Sequence, residues 1–364
     1  MILAINAGSS SVKCALFTRG DEPALAARET IRDTGARAAP KILSWVDSKS
    51  ARLDAIGHRI VHGGPQHEAP QWITPKVLGD LRQLVRFAPN HLPDEIAIIE
   101  ALAARHPSVP QLACFDTAFH QTMPEIAKRL PIPAEYDARG IRRYGFHGLS
   151  YAYLISELRR VAGDSIADGR VVLAHLGNGS SLAALRNGRS IDTTMAFTPI
   201  AGVIMSTRSG DLDPGVATYL GRNEGLGADE VEDILSKRSG LLGISGVSAD
   251  MQTLLEGEES DAACRLAVEM FVYSVAKAIG ALAAALGGID ALVFSGGIGE
   301  HAAPVRARIC ERLDFLGIAM DAARNDANAP LISSARVEVR VIPTNEELVI
   351  ARAAQQLLAS RGME

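Results

Sequence analysis

The sequence predicts an α/β protein made of two similar halves with a ligand cleft between them. Three observations carry this reading. The chain has 364 residues, 47% of them hydrophobic, enough for about two domains with cores of their own. Short apolar runs of strand length alternate with longer stretches of helical spacing. The pattern strand, Gly-Ser-Ser turn, strand also occurs twice, over 2–17 with Gly8, Ser9 and Ser10 and over 171–185 with Gly179, Ser180 and Ser181. One phosphate-cradling hairpin per half would make the chain a pseudo-duplicate, and ligands favour such interfaces.

Ile2 to Ile5 and Val12 to Phe17 read as the arms of a β-hairpin. Residues 41–50 suit a short helix. Ala55 to Gly64 reads as a strand ending in a glycine pair. Residues 75–87 and 94–105 carry apolar positions at helical spacing, the second with Asp94 near a proline-led start. Val109 to Phe115 is a buried strand. A loop rich in His, Pro and Gly runs on to Gly148, and a helix follows at 150–161. Val171 to Leu176 is a strand, Leu182 to Leu185 returns, and Asn187-Gly188 is a hairpin dipeptide. Helices are expected at 228–236 and 261–286, the latter Ala-rich and ending at Gly287-Gly288. Ala291 to Phe294 is a strand running into a glycine turn, with a helix after it. Val337 to Ile342 is the last strand. The last helix, 346–361, is expected to pack back on the N-terminal half.

Composition excludes several function classes. Lys and Arg number 37 against 42 Asp and Glu, for a net charge of −5, with no basic block. Nucleic acid and anionic membranes are therefore not expected partners. Aromatic residues are only 5%, too few for base-stacking platforms. Cys14, Cys114, Cys264 and Cys310 show neither disulfide-framework nor zinc-ribbon spacing, and each suits a small buried hydrophobe. The start of the chain has no charged region or cleavage site of a signal peptide. No uncharged apolar run reaches about 18 residues. A cytoplasmic protein is the expectation.

The segment Gly202 to Gly215 is too polar and turn-rich for core, yet apolar segments flank it. It sets Arg208 among Ser206, Thr207, Ser209 and Gly210. Such a loop lets backbone N–H groups and a forked guanidinium approach a phosphate or carboxylate. Asn6 to Lys13 offers hydroxyls, amides and an amine around one turn, without the glycine and helix of a Walker loop. His175-Leu176-Gly177-Asn178-Gly179 is a second cradle of this kind. Ser295 to Glu300 follows a strand and precedes a helix, so its glycines suit close approach of a nucleotide. Asp116 sits at a strand's C-terminal end, where α/β sheets place catalytic groups. His147 lies between glycines on a loop. His58 and His62 would share one strand face, but with no carboxylate supplied nearby a zinc site is not expected. Glu346 and Glu347 follow Thr344 and Asn345, so a carboxylate there could cap the last helix or hold Mg²⁺ through water.

Together these motifs resemble the acetate and propionate kinase family, within the actin, hexokinase and sugar-kinase superfamily. The matching pieces are residues 6–13, 57–64, 114–124, 142–148, 174–181, 205–215, 295–300 and 343–351, from end to end in the family's order. The resemblance implies two ribonuclease-H-like domains, a duplicated actin/hexokinase-type fold with an interdomain active-site cleft. They would be 1–118 plus 347–364, and a nucleotide-binding domain over 119–346. It implies phosphoryl transfer from ATP to acetate, giving acetyl phosphate and ADP. Propionate or another short carboxylate is the alternative substrate. Mg²⁺ is the implied metal, with Mn²⁺ as its substitute, and a homodimer the implied assembly.

Carried over by position, Arg59 and Arg208 would flank the transferring phosphoryl group and the carboxylate, and Asp116 would be the catalytic carboxylate. His147 would stabilise the transition state. Val61, Phe146 and Pro199 would wall the acyl pocket. Asn6 and Glu346 would hold Mg²⁺. Lys13, His175, Leu176, Gly177, Asn178 and Gly179 would contact ATP, as would Gly297, Ile298, Gly299, Glu300 and His301. Asp250, Met251 and Gln252 lie where the family approaches the nucleoside. The sequence departs from the family's pattern at Asn90, where an apolar pocket residue is expected, and at Gln252, where an arginine is usual.

Overall fold

The computed structural model describes residues 1–8, 11–50 and 52–361, which form two compact units. The first comprises Met1–Gln121, Phe146–Tyr153 and Asn345 onward; the second comprises Thr122–Gly145 and Leu154–Thr344.

The first unit is built on six strands: β1 (Ile2–Ala7), β2 (Val12–Thr18), β3 (Ala24–Ile31), β4 (Ala55–Ile60), β5 (Gln71–Trp72) and β6 (Gln111–Phe115). Their order in the sheet is β3-β2-β1-β4-β6-β5. The predicted hairpin is present, with Ile2 opposite Phe17 and Ala7 opposite Val12. β4 runs parallel to β1, and β6 parallel to β4. β1 is buried along its whole length, and apolar but for Asn6, because both faces are covered. Leu3 and Ile5 meet Ile42, Val46, Ile98 and Leu102 from the helices Gly35–Ser48 and Leu92–Arg105. Ile2 and Ala4 meet Ile350 and Ala354 from the last helix, Glu346–Arg361. Gly57 in β4 permits that approach, since a Cβ there would overlap Ile350.

The second unit holds β7 (Arg170–Leu176), β8 (Ser180–Arg186), β9 (Arg189–Thr193), β10 (Ala291–Ser295) and β11 (Glu338–Val341), in the order β11-β10-β7-β8-β9. β7, β8 and β9 are antiparallel neighbours, while β10 and β11 are parallel additions. Asn187 and Gly188 both have positive φ (53° and 69°), as a type I′ hairpin turn requires. The helix Ala262–Leu286 is long and apolar enough to cross a membrane by length and composition. It is instead a core helix: Phe271, Val275 and Ile279 pack with Val172, Leu182 and Leu292 of the sheet. Asp261 caps its start by accepting from the Ala263 N–H, and Gly287 ends it in the left-handed region.

Several expectations need correction. The strand expected over 55–64 stops at Ile60, and the one expected from Val109 begins at Gln111. His62 therefore lies beyond the strand and shares no strand face with His58. β3 went unread because it is mostly exposed and presents no apolar face. The loop expected before Gly148 contains a 3₁₀ segment, Asp116–Thr122, and two short helices, Glu125–Lys128 and Ala134–Ala138. All four cysteines are free and buried, as expected.

Candidate active site

In the first unit, the parallel strands β1, β4 and β6 bring Asn6, Arg59 and Asp116 to one edge of the sheet. Arg59 donates from Nε and Nη2 to Asp116 Oδ2, at 3.0 and 2.5 Å, and from Nη1 to the Ala7 carbonyl at 2.7 Å. Asp116 is fully buried, and its Oδ1 has no hydrogen-bond partner among the described residues. Burial pushes the Asp116 carboxyl above the usual carboxylate range, partly offset by the Arg59 guanidinium. Burial disfavours the charge on Arg59, but Asp116 and Glu346 outweigh it and hold the guanidinium ionised.

His147 sits beside this pair in a left-handed conformation (φ 57°) that is costly for a residue with a Cβ. It directly precedes the helix Gly148–Ala162. Gly148 has no room for a side chain, because a Cβ there would overlap the Asp116 carbonyl. The backbone thus holds the His147 loop against Asp116. Phe146 and Val61 are both buried. Phe146 is anchored through its carbonyl, 3.0 Å from His120 Nε2.

Asn6 donates its Nδ2 to Glu346 Oε2 at 2.7 Å and to Glu347 Oε1 at 2.8 Å. Asn345 caps the last helix by accepting from the Leu348 N–H, so neither glutamate is needed as the cap. Among the described residues no group of three or more His, Cys, Asp or Glu is placed to hold a metal. One amide and two carboxylates are nonetheless the hard oxygen donors that Mg²⁺ takes alongside its waters. Lys13 lies opposite Asn6 on β2 and is exposed. Ser9 and Ser10 lie outside the described residues. His58 is buried against Gln111 (2.6 Å), and His62 Nδ1 accepts from the Gly64 N–H, so both serve the core.

In the second unit, the ends of β7 and β10 carry two glycine turns. A Cβ on Gly177 would lie 3.7 Å from the Gly297 nitrogen, so the turns are neighbours. Ser180 closes the first by accepting from the Gly177 N–H and donating to the Gly177 carbonyl. Gly296 has φ 75°, and a Cβ there would meet the Leu176 carbonyl at 2.6 Å. Gly297 is exposed, with nothing within 4 Å of its Cβ position. Glu300 is occupied structurally, accepting from the Gly296 N–H at 2.9 Å. The Arg208 loop is tied to the first turn, since the Ser206 N–H donates to the Asn178 carbonyl and Ser206 Oγ to Asn178 Oδ1. Arg208 Nη1 donates to the Pro199 carbonyl at 3.2 Å, which joins two residues singled out in the sequence.

The remaining nucleotide candidates divide by exposure. Asp250 caps the helix Met251–Gly257 through the Thr253 N–H, and Met251 is buried in the core. Gln252 is exposed and bonds Glu256; His301 is also exposed. Sequence reasoning missed Arg306. It is fully buried and donates to the carbonyls of Gly299 and Glu300 as well as to Asn325 and Asn328. An arginine two turns after a glycine motif gives no signal of its own, because its partners are carbonyls.

The family described as the Acetokinase family matches residues 33–352. A protein from Rhodopseudomonas palustris named acetate kinase is 45% identical, over 97% of this chain and 97% of its own length. The crystal structure of Porphyromonas gingivalis acetate kinase superposes with a TM-score of 0.86 at 35% identity, covering 98% of this chain and 99% of its own. A propionate kinase structure from Francisella tularensis gives 0.88 at 34% identity, covering 97% and 98%.

Proposed function

The chain belongs to the acetokinase family and transfers a phosphoryl group between ATP and acetate, and from that premise we propose how its residues divide the work. The acid arrives as a carboxylate, already nucleophilic at neutral pH. No proton has to be removed: a carboxylate oxygen bonds to the γ-phosphorus as the bond to the bridging oxygen of ADP breaks. The protein's task is to align two anions and neutralise the charge that develops between them.

Arg59 holds the carboxylate and the phosphoryl oxygens from the first unit. Asp116 aims that guanidinium by accepting two of its N–H groups on one oxygen, and it is an orienting carboxylate, not a base. Arg208 and His147 donate to the transferring phosphoryl group. Val61, Phe146 and Pro199 bound the short acyl chain. Asn6 and Glu346, with Glu347 alongside, would hold Mg²⁺, which when bound neutralises phosphate charge. Lys13, the Gly177-Asn178-Gly179 turn and the turn after β10 receive the phosphates through amides and an amine. His175, Leu176, Ile298, Gly299, Glu300 and His301 shape these turns, and Asp250, Met251 and Gln252 border the nucleoside. A cytoplasmic homodimer is the assembly that goes with this reading, on the strength of the family.

The observation that carries the reading is the Arg59–Asp116 pair beside Asn6 and Glu346. The test is ADP release from ATP and Mg²⁺ with formate, acetate, propionate and butyrate in turn, with hydroxylamine trapping the acyl phosphate. Acid-dependent ADP with matching hydroxamate, highest in kcat/KM for acetate, is expected. One methylene is worth about 1–3 kcal/mol, so propionate should follow within about two orders of magnitude. Propionate ahead of acetate would reassign the acid; ADP release independent of any acid would overturn the proposal.

A further inference from the structure

Glu95 lies in the first turn of the helix Leu92–Arg105 and is only 3% exposed. Its Oε1 and Oε2 stand 3.3 and 3.2 Å from the Val61 nitrogen, so among the described residues one N–H serves the whole carboxyl group. Val61 is the acyl-pocket wall and follows Arg59 by two residues. The charged groups acting on Glu95 are Arg59 from β4, Asp116 from the end of β6 and Asp94 on its own helix. Neither Asn6 nor Glu346 touches it in any hydrogen bond of the cluster described above. The phosphoryl-transfer chemistry leaves this buried acid without a use.

We propose that Glu95 is a positioning residue for the carboxylate substrate, holding the backbone at Val61 and, when ionised, competing behind Arg59 with the incoming carboxylate. The proposal rests on the reading that Arg59 and Val61 receive the acid. The bond to the Val61 N–H fixes the Glu95 carboxyl two residues along the chain from Arg59. A carboxyl group held in low dielectric near a guanidinium reduces the attraction that guanidinium offers a second anion. Its protonated form keeps an oxygen for the Val61 N–H and removes that competition. Burial pushes the Glu95 carboxyl up to about 8, opposed by Arg59 and the Val61 N–H and reinforced by Asp116 and Asp94. The competing charge therefore develops as pH rises through the mildly alkaline range, and binding of the acid weakens there.

The experiment measures KM for acetate and KM for ATP from pH 6.5 to 9.5, in the wild type and in Glu95→Gln, which keeps the acceptor and cannot ionise. The wild-type acetate KM should rise about fivefold or more across the range, because a new like charge opposes binding, while the ATP KM stays within about twofold. Glu95→Gln should hold the low-pH acetate KM throughout. An acetate KM that stays flat in the wild type, or rises equally in Glu95→Gln, overturns the proposal, and the wild-type profile decides without any variant having to fold. Val61→Ala separates this from the underlying reading. If it leaves the preference between acetate and propionate unchanged, the pocket assignment is wrong and the proposal falls with it. If the preference shifts but the pH profile is flat, the role of Glu95 alone is wrong.

Discussion

In the first unit the hairpin β1–β2 is extended on one side by the parallel strands β4 and β6; in the second the hairpin β7–β8 is extended by β10 and β11 in the same way. Both units present the C-terminal ends of these strands, but with different chemistry. The first ends in Asn6, Arg59 and Asp116, of which Arg59 and Asp116 pair with each other and Asn6 bonds Glu346 and Glu347. The second ends in Gly177 and in Ser295-Gly296-Gly297, which are bare backbone. The same topology thus gathers charged and amide side chains at the strand ends of one unit and glycine turns at those of the other. Side chains give strength and pH sensitivity, whereas glycine amides give close approach without charge.

Arg208 is the strongest challenge to that division, because the second unit contributes a guanidinium as well. Arg208→Ala is expected to lower kcat/KM by about a thousandfold or more, as loss of a phosphoryl-stabilising arginine does. Its guanidinium donates to the Pro199 carbonyl and to Met205 Sδ, and losing bonds of this kind should move the thermal midpoint by only a few degrees. A folded variant within tenfold of wild type would confine the second unit to its cradle and sharpen the contrast.

Acid titration probes the first unit. β4 carries His58 in its buried interior, while β10 has no ionisable side chain. Burial pushes His58 down to about 4, against the raising effect of Gln111. A histidine with a depressed folded pKa contributes stability above its unfolded value of about 6.5, lost as pH falls through the folded value. Between pH 7 and 4 the wild type should lose about 3 kcal/mol more than His58→Gln does. Urea unfolding of both proteins at several pH values measures this. Parallel losses would remove the ionisable core of β4 from the comparison.

The smallest effect tests the cradle. Gly297→Ala adds a methyl group into open space, so stability should hold while the ATP KM rises about tenfold, the cost of spoiling one close backbone approach (about 1–2 kcal/mol). Gly296→Ala should instead lower the thermal midpoint, because its positive φ and the Leu176 carbonyl leave no room. If Gly297→Ala left the ATP KM unchanged, the turn after β10 would not be a phosphate cradle.

Much of this fold is written locally. Both hairpins, the Asn187-Gly188 turn, the long helix ending at Gly287 and the strand leading into Gly296 are set by alternation, helical spacing and turn chemistry within a few residues. The clustering of Arg208 with Pro199, and of Asn6 with Glu346, follows the motifs but needed the fold to become distances. Glu95 illustrates the opposite case. In sequence it is an acid in the first turn of an amphipathic helix, an ordinary exposed place for one. Only the fold puts it under Val61, 34 positions away.

The sequence by itself determined most of the element types, the duplicated hairpins and the candidate residues for phosphate, because these depend on backbone preferences and side-chain chemistry carried by short segments. Tertiary structure alone decided which of those groups are buried and whom they face. It paired Arg59 with Asp116, drew Asn6 between Glu346 and Glu347, and shut Arg306 and Glu95 away from water. The physical reason is that ionisation and hydrogen bonding of a buried group respond to dielectric and to neighbours distant in sequence, neither of which local pattern encodes.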